Sequence, residues 1–393
     1  MKILVVTHNY PRFADDPAGA FVKRLAIGAV DAGHQVTVIA PHARGQPTWA
    51  DEDGVRVHRF RYAPDALERV AYRGDLHATG ILSALAMVGI PVFLLAFAVA
   101  IRRVSHAWRP DVVHAHWWFP GGWLASSLGV PLVITTHGSD IRLLDRSSVL
   151  RRLATHVMNR ARLVTTVSDF LARNVRSALP ALRTPVARLS MPLDVAHFER
   201  GREEAKSDPP LILYAGNLLA SKGVTDLIDA FALLRQQGVQ CRLKVLGEGP
   251  ERAALERHAR AVGVAEAVQF ADFVGQDTMP AEYGAATVTV LPTRGDAEGL
   301  GLSLAEASLA GSAIVGTPAG GIPEVVVDEA TGLIARSGDA ADLARQIARL
   351  LEAPDLRTGL TARAAAMSRE QFAPANAVDR FLRVYRDAAA DRD

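Results

Sequence analysis

The chain has 393 residues, 49% of them hydrophobic and 22% charged, with 44 Lys+Arg against 42 Asp+Glu. That is long enough for two packed cores and too apolar for a disordered chain, and no nucleic-acid partner is expected from so even a charge balance. The balance is uneven along the chain: residues 1–200 hold 24 Lys+Arg against 15 Asp+Glu and residues 201–393 hold 20 against 27, so the two halves face different partners or at least different fields.

The N-terminus, MKILVVTHNY, runs straight into a strand pattern without an apolar leader and cleavage site, and the single cysteine, Cys241, cannot form an internal disulfide; a cytoplasmic protein is expected. Short β-rich runs then alternate with helical stretches. In the first half they are 2–8, 35–41, 55–60, 111–116, 131–137, 162–168 and 186–192; in the second, 211–216, 241–247, 268–273, 286–292, 312–318 and 332–336. Continuous Val/Ile/Leu runs suit parallel strands buried on both faces. The expected fold is α/β, two doubly wound, Rossmann-like parallel-sheet domains facing across a cleft: 1–198, a linker at 199–210 where ERGREEAKSDPP is charged and proline-bearing, and 211–372. Residues 373–393 read as one more helix, with Phe381, Val384 and Tyr385 as its apolar stripe.

In open parallel sheets ligands bind beyond the C-terminal strand ends, where helix N-termini offer free amides. Several polar and glycine-rich stretches stand there: THGSD with His137, Gly138 and Asp140; AGNLLASKG with Asn217 and Lys222; LGEGPE with Gly247 and Gly249; RGDAEGLGLSLAEASLAG, residues 294–311; and PAGGIPE with Glu324. The fourth holds Glu298 and Glu306 eight positions apart around Gly299-Leu300-Gly301. A helix starting near Gly301 and closed by Gly311 points its first amides at a diphosphate, with the Lys222 ammonium reaching across. Carboxylates repel phosphate, so Glu298 and Glu306 are expected to accept hydrogen bonds from hydroxyls at either end of it; a nucleotide-sugar fits that description. His114 and His116 share one side of a strand but lack a third ligand, so packing is expected of them rather than a metal site.

The ordered set of these motifs resembles the retaining glycosyltransferases of family 4, which have the GT-B fold and an E-x7-E motif. The resemblance covers nearly the whole chain: Pro11 with Gly19-Ala20-Phe21-Val22, GHQVTVIAP, DVVHAHW, THGSD, NLLASKG, LGEGP, VQFADFV, Glu298 to Glu306, PAGGIPEVV and TGLIA. It implies that Glu306 holds the ribose and Glu298 a hydroxyl of the transferred sugar. Lys222 and the amides of Gly299, Leu300 and Gly301 would hold the diphosphate, with Gly247 in the same donor-binding set. Gly19 would let the first loop close, His137 would sit by the sugar and the reacting face, and Phe273 and Val274 would line the base. Glu298, His137 and Lys222 are the catalytic candidates. Where many members carry Arg, this chain has Asn217, and Arg294 is the candidate replacement for that charge.

The reaction implied is transfer of a hexose-type sugar from a UDP- or GDP-sugar to a glycan, lipid-linked or small-molecule acceptor in cell-envelope or exopolysaccharide synthesis. The first domain would take the acceptor, the second the donor, and the last helix would cross back to the first. No cofactor or metal is expected. A nucleotide-sugar epimerase of the same fold and a non-catalytic nucleotide-sugar-binding subunit remain alternatives, whereas an oxidoreductase is disfavoured because no complete glycine-rich fingerprint follows the first strand. Residues 78–101 carry no charge and are long enough to span a bilayer. With Gly89 and Pro91 near the middle, a partly buried helical hairpin ranks first, an in-plane contact with an anionic membrane at the inner face second, and a span last.

Overall fold

The computed structural model describes residues 1–13, 16, 18–68, 70–71, 84–272, 274–296 and 298–390. The chain divides into two units, Met1–Pro192 with Pro374–Asp393, and Leu193–Ala373. The first is built on β1 (Lys2–Val6), β2 (Gln35–Pro41), β3 (Trp49–Glu52), β4 (Val55–Phe60), β5 (Val112–His116), β6 (Leu132–Thr136), β7 (Leu163–Thr166) and β8 (Val186–Arg188). They form one sheet in the order β3-β4-β2-β1-β5-β6-β7-β8. Leu4 of β1 lies opposite Thr37 on one side and Val113 on the other, so the strand order reverses at β1. All pairs are parallel except β3 with β4.

β1 shows why: KILVV is buried over four of its five residues, without alternation, as a strand covered by helices on both faces requires. β3 is absent from the sequence reading because WADE is polar and half-exposed. Its signal is the turn that follows, where Asp53 and Gly54 both adopt positive φ, 56° and 79°, the Asp-Gly pattern of a tight hairpin.

The second unit is built on β9 (Leu211–Ala215), β10 (Arg242–Leu246), β11 (Val268–Ala271), β12 (Val288–Leu291), β13 (Ala313–Gly316) and β14 (Leu333–Ile334). Their order is β11-β10-β9-β12-β13-β14, all parallel, and the reversal falls between β9 and β12.

Two expectations are corrected, and the last helix falls where the sequence put it, with the first unit. Residues 199–210 are not a linker between domains. The second unit starts at Leu193, and Gly201 lies so close under the carbonyl of Pro280 that a Cβ would sit 2.2 Å from its oxygen. Lys206 donates to the carbonyls of Gly284, Ala286 and Gly311 at 2.8, 2.8 and 2.7 Å. The Lys206 charge, part of the supposed linker, instead terminates backbone carbonyls of the second unit, and burial lowers its pKa to about 8.

Second, the apolar segment is not broken at Gly89 and Pro91. One helix runs from Ala84 to Trp108 with Pro91 inside it; residues 78–83 lie outside the described residues. Phe93, Phe97 and Ile101 anchor it in the core, with Phe97 stacked on Phe60 at 4.5 Å, and that packing outweighs the one amide Pro91 cannot supply.

The last helix, Pro374–Ala390, is part of the first unit. It packs on the helix Ala20–Asp31 closely enough that a Cβ on Gly28 would meet Val378 at 2.4 Å. Its Tyr385 hydroxyl pairs with His114 Nδ1 at 2.7 Å.

Candidate active site

In the second unit the loops after β9 and β12 converge at the strand-order reversal, where ligands of open parallel sheets bind. Lys222 ends the turn Ala220–Lys222 after β9, and Glu298 precedes the helix Leu302–Leu309 after β12. Lys222 Nζ donates to Glu298 Oε2 at 2.7 Å, with both side chains less than one-fifth exposed. The loops are also joined by the backbone, Arg294 N donating to the Ser221 carbonyl at 2.8 Å.

The loop from Glu298 to Gly301 is fixed from below. Gly321 N donates to the Glu298 carbonyl at 3.1 Å, and a Cβ on Gly320 would stand 1.9 Å from that oxygen. Gly301 takes φ 86° at the helix start and Gly311 φ 86° after its end, the left-handed region that favours glycine. The Leu300 side chain is buried, so only its backbone can face a ligand. Leu304 N donates to the Gly301 carbonyl at 3.0 Å, and the positive end of the helix dipole lies at this start.

Glu306 sits about one turn into this helix and accepts a hydrogen bond from the Tyr283 hydroxyl at 3.2 Å. Burial, with the Glu306 carboxylate second, raises the Tyr283 pKa well above its ordinary value, so the phenol remains a donor. Arg294 is not an open replacement for the missing arginine. Its guanidinium grips buried Asp226 through two nitrogens, Nε at 2.7 Å and one terminal nitrogen. The charge is spent in that pair.

Asn217 is exposed, its carbonyl accepting from the Tyr214 hydroxyl at 2.8 Å. Gly247 lies against Gly216, where a Cβ would stand 1.9 Å from a carbonyl oxygen, so loop packing alone requires glycine there. Val274 is half-buried after β11; Phe273 lies outside the described residues.

Gly19 and His137 belong to the first unit. Gly19 opens the helix Ala20–Asp31 beneath the Asn9 carbonyl, which a Cβ would approach to 2.2 Å. His137 follows β6 directly, in a nest of rings: Trp117 at 4.4 Å, Phe21 at 4.9 Å and His116 at 5.3 Å between centroids. His116 Nδ1 and His137 Nε2 share a hydrogen bond of 3.1 Å. Burial lowers the His137 pKa to about 3 and that of His8 to about 4, and holds His116 well below its ordinary value.

These rings are therefore neutral. The buried His116 Nε2 and His8 Nδ1 have no hydrogen-bond partner among the described residues. Asp140 accepts from the backbone amides of Trp118, His137 and Gly138, while burial raises its pKa to about 6. His114 pairs with Thr135 Oγ1 at 2.7 Å and with Tyr385, a packed strand histidine.

Sequence reasoning did not single out His8, Asp226 or Tyr283. The strand-end rule that selects His137 would also select His8, two residues past β1. Tyr283 had no local signal, because it reaches Glu306 from 23 positions earlier.

Residues 18–192 match the family described as "Glycosyl transferase 4-like domain", and residues 196–367 match "Glycosyl transferases group 1". The D-inositol 3-phosphate glycosyltransferase of Acidothermus cellulolyticus is 32% identical over 338 residues, 77% of this chain and 73% of that protein. The chain belongs to glycosyltransferase family 4. It is a glycosyltransferase with the GT-B fold of two parallel-sheet α/β domains. Sucrose-phosphate synthase from Thermosynechococcus elongatus superposes with a TM-score of 0.79 at 20% identity, over 99% of each chain. Anabaena HepE in complex with UDP-glucose superposes with a TM-score of 0.68 at 18% identity, over 98% of this family 4 chain and 100% of its own.

Proposed function

We propose that this glycosyltransferase moves a hexosyl group, with retention at the anomeric carbon, from a nucleoside diphosphate sugar to a hydroxyl of a glycan, lipid-linked or small-molecule acceptor. The observation that carries the reading is the Lys222–Glu298 ion pair beside the N-terminus of the helix Leu302–Leu309. A diphosphate carries more charge than one carboxylate and meets the helix amides as well, so it takes Lys222 away from Glu298. The freed Glu298 carboxylate then accepts hydrogen bonds from hydroxyls of the transferred sugar, and Glu306, steadied by Tyr283, accepts them from the ribose. UDP is the favoured nucleotide, because HepE, which shares the fold, is solved with UDP-glucose.

Bond breaking leaves negative charge on the diphosphate and positive character on the sugar ring. Lys222 and the amides of Gly299, Leu300 and Gly301 stabilise the first. The acceptor oxygen takes the place of the diphosphate on the same face of the sugar, and its proton leaves with the diphosphate or to solvent. His137, neutral in its ring nest, serves as a hydrogen-bond partner for substrate hydroxyls rather than as a cation. In this reading Lys222 and the helix dipole supply the charge stabilisation, no metal or cofactor is required, and the enzyme works in the cytoplasm on its soluble donor.

The test is thermal stabilisation by UDP-, GDP-, ADP- and dTDP-sugars, followed by mass detection of product with candidate acceptors. A donor at about a hundred times its dissociation constant adds about 2.7 kcal/mol of stability. Glu306→Gln should weaken that donor severalfold. Stabilisation without any transferred sugar would favour a binding subunit, an isomerised donor would favour an epimerase, and no stabilisation by any donor would defeat the proposal.

A further inference from the structure

The helix Ala84–Trp108 has a second face that the core does not use. Its Phe93, Phe97 and Ile101 are buried, yet Val92, Leu95 and Val99 are exposed, Leu95 to 65%. The spacing of three and four residues sets these side chains in one stripe. They form one wall of a groove of about 1010 Å³ whose other wall is β2 and β4 with the β3 hairpin.

The groove is apolar along the helix and basic at its rim. Arg56, Arg59, Arg61 and Arg103 line it and, among the described residues, no acidic one does. Arg61 is paired with Asp65, whereas neither Arg56 nor Arg103 has a carboxylate partner among the described residues. Trp49, 46% exposed, holds the Arg56 guanidinium over its ring at 5.5 Å. An aromatic ring beside arginines at the border of an apolar stripe suits the level of lipid headgroups.

Gly89–Trp108 is apolar enough over 20 residues to cross a membrane, but a spanning helix would have to expose Phe97 and Ile101, which are 0% exposed in the core. The stripe therefore calls for a planar partner on one side. A second copy of this chain is a poor occupant, since a twofold contact would oppose the same arginines.

We infer that this groove seats the first unit on the surface of a bilayer containing anionic phospholipid, with Val92, Leu95 and Val99 among the acyl chains and Arg56 and Arg103 against the phosphates. The contact uses none of the residues proposed to hold the donor.

The full chain would be sedimented with phosphatidylcholine vesicles with and without phosphatidylglycerol, at low and high salt. Binding is expected only with phosphatidylglycerol, about fivefold weaker for each of Arg56→Gln and Arg103→Gln, and weaker again for Leu95→Asn at unchanged charge. Val99→Thr, close in shape, repeats the apolar test should Leu95→Asn lose its fold by circular dichroism. No binding at low salt, equal binding to neutral vesicles, or binding indifferent to both Leu95→Asn and Val99→Thr would overturn the inference. So would capture of dispersed short-chain phosphatidylglycerol without vesicle binding, which would mark a site for single lipids.

Discussion

The two units place opposite chemistries beyond the ends of similar sheets. The second unit gathers charge and pairs it, Lys222 with Glu298 and Arg294 with Asp226. The first gathers rings and keeps them uncharged, with His8, His116 and His137 all held below their ordinary pKa by burial and two of their nitrogens unpartnered among the described residues. The difference teaches which part of a glycosyl transfer each surface can serve. Paired charges can be exchanged for the charges of a diphosphate at little desolvation cost. Neutral imidazoles and indoles can hydrogen-bond and stack on an uncharged polyol without a counter-ion, and an orphaned buried nitrogen costs about 1–3 kcal/mol that a hydroxyl can relieve.

The comparison breaks most visibly at Lys222. Lys222→Ala should lower turnover by about 10²–10³-fold, the usual effect of removing one group that stabilises a developing anion, and should weaken nucleoside diphosphate binding. Glu298→Gln should separate the two effects. It abolishes the ion pair and leaves the ammonium free, so nucleoside diphosphate without a sugar binds as tightly as before or tighter, while turnover falls. Calorimetric titration of both variants with UDP checks this; weakened UDP binding in Glu298→Gln would show that the pair does not compete with the diphosphate.

The neutral histidines sharpen the comparison through pH. His114, pushed down to about 3, and His116, lower than its ordinary value, are both 0% exposed. Unfolding lets each take up a proton near pH 6.5, so their contribution is complete above about pH 6.5 and is lost as the pH falls below it, for His114 down to about 3. Each costs about 1.4 kcal/mol of stability per pH unit in that window. Asp140, raised to about 6, works with the opposite sign between its ordinary value and about 6, and offsets one histidine. Calorimetric scans from about pH 7 to about pH 5 should show a transition that moves down in temperature. An unmoved transition would mean that the rings are hydrated.

The legible part of the molecule was the part encoded locally. Thirteen apolar runs marked strands because buried parallel strands need continuous Val/Ile/Leu, and the strand-end rule placed Lys222, Glu298 and His137 at the ends of the two sheets. Partners distant in sequence were not legible. Tyr283 meets Glu306, Asp226 takes Arg294 and Tyr385 takes His114 across 23, 68 and 271 positions, and no periodicity reports such pairs. Charge misled at Lys206, because an ammonium that terminates three backbone carbonyls has the same letter as one in water.

The smallest effect is the most discriminating for the donor side. Arg294 follows β12 at a point where a phosphate-binding arginine would be useful, yet its two hydrogen bonds to Asp226 raise its own pKa and commit its charge. Arg294→Gln should therefore change nucleoside diphosphate affinity by less than about threefold. It should instead destabilise the second unit by about 1–3 kcal/mol, reduced by the half-exposure of the guanidinium, because Asp226 is left buried without its partner. The vacancy belongs to Asn217, exposed just after β9. If the charge is truly missing there, Asn217→Arg tightens UDP binding by more than Arg294→Gln loosens it. The reverse order would mean that Arg294 leaves Asp226 when the donor arrives, and that both ion pairs of this unit are exchangeable.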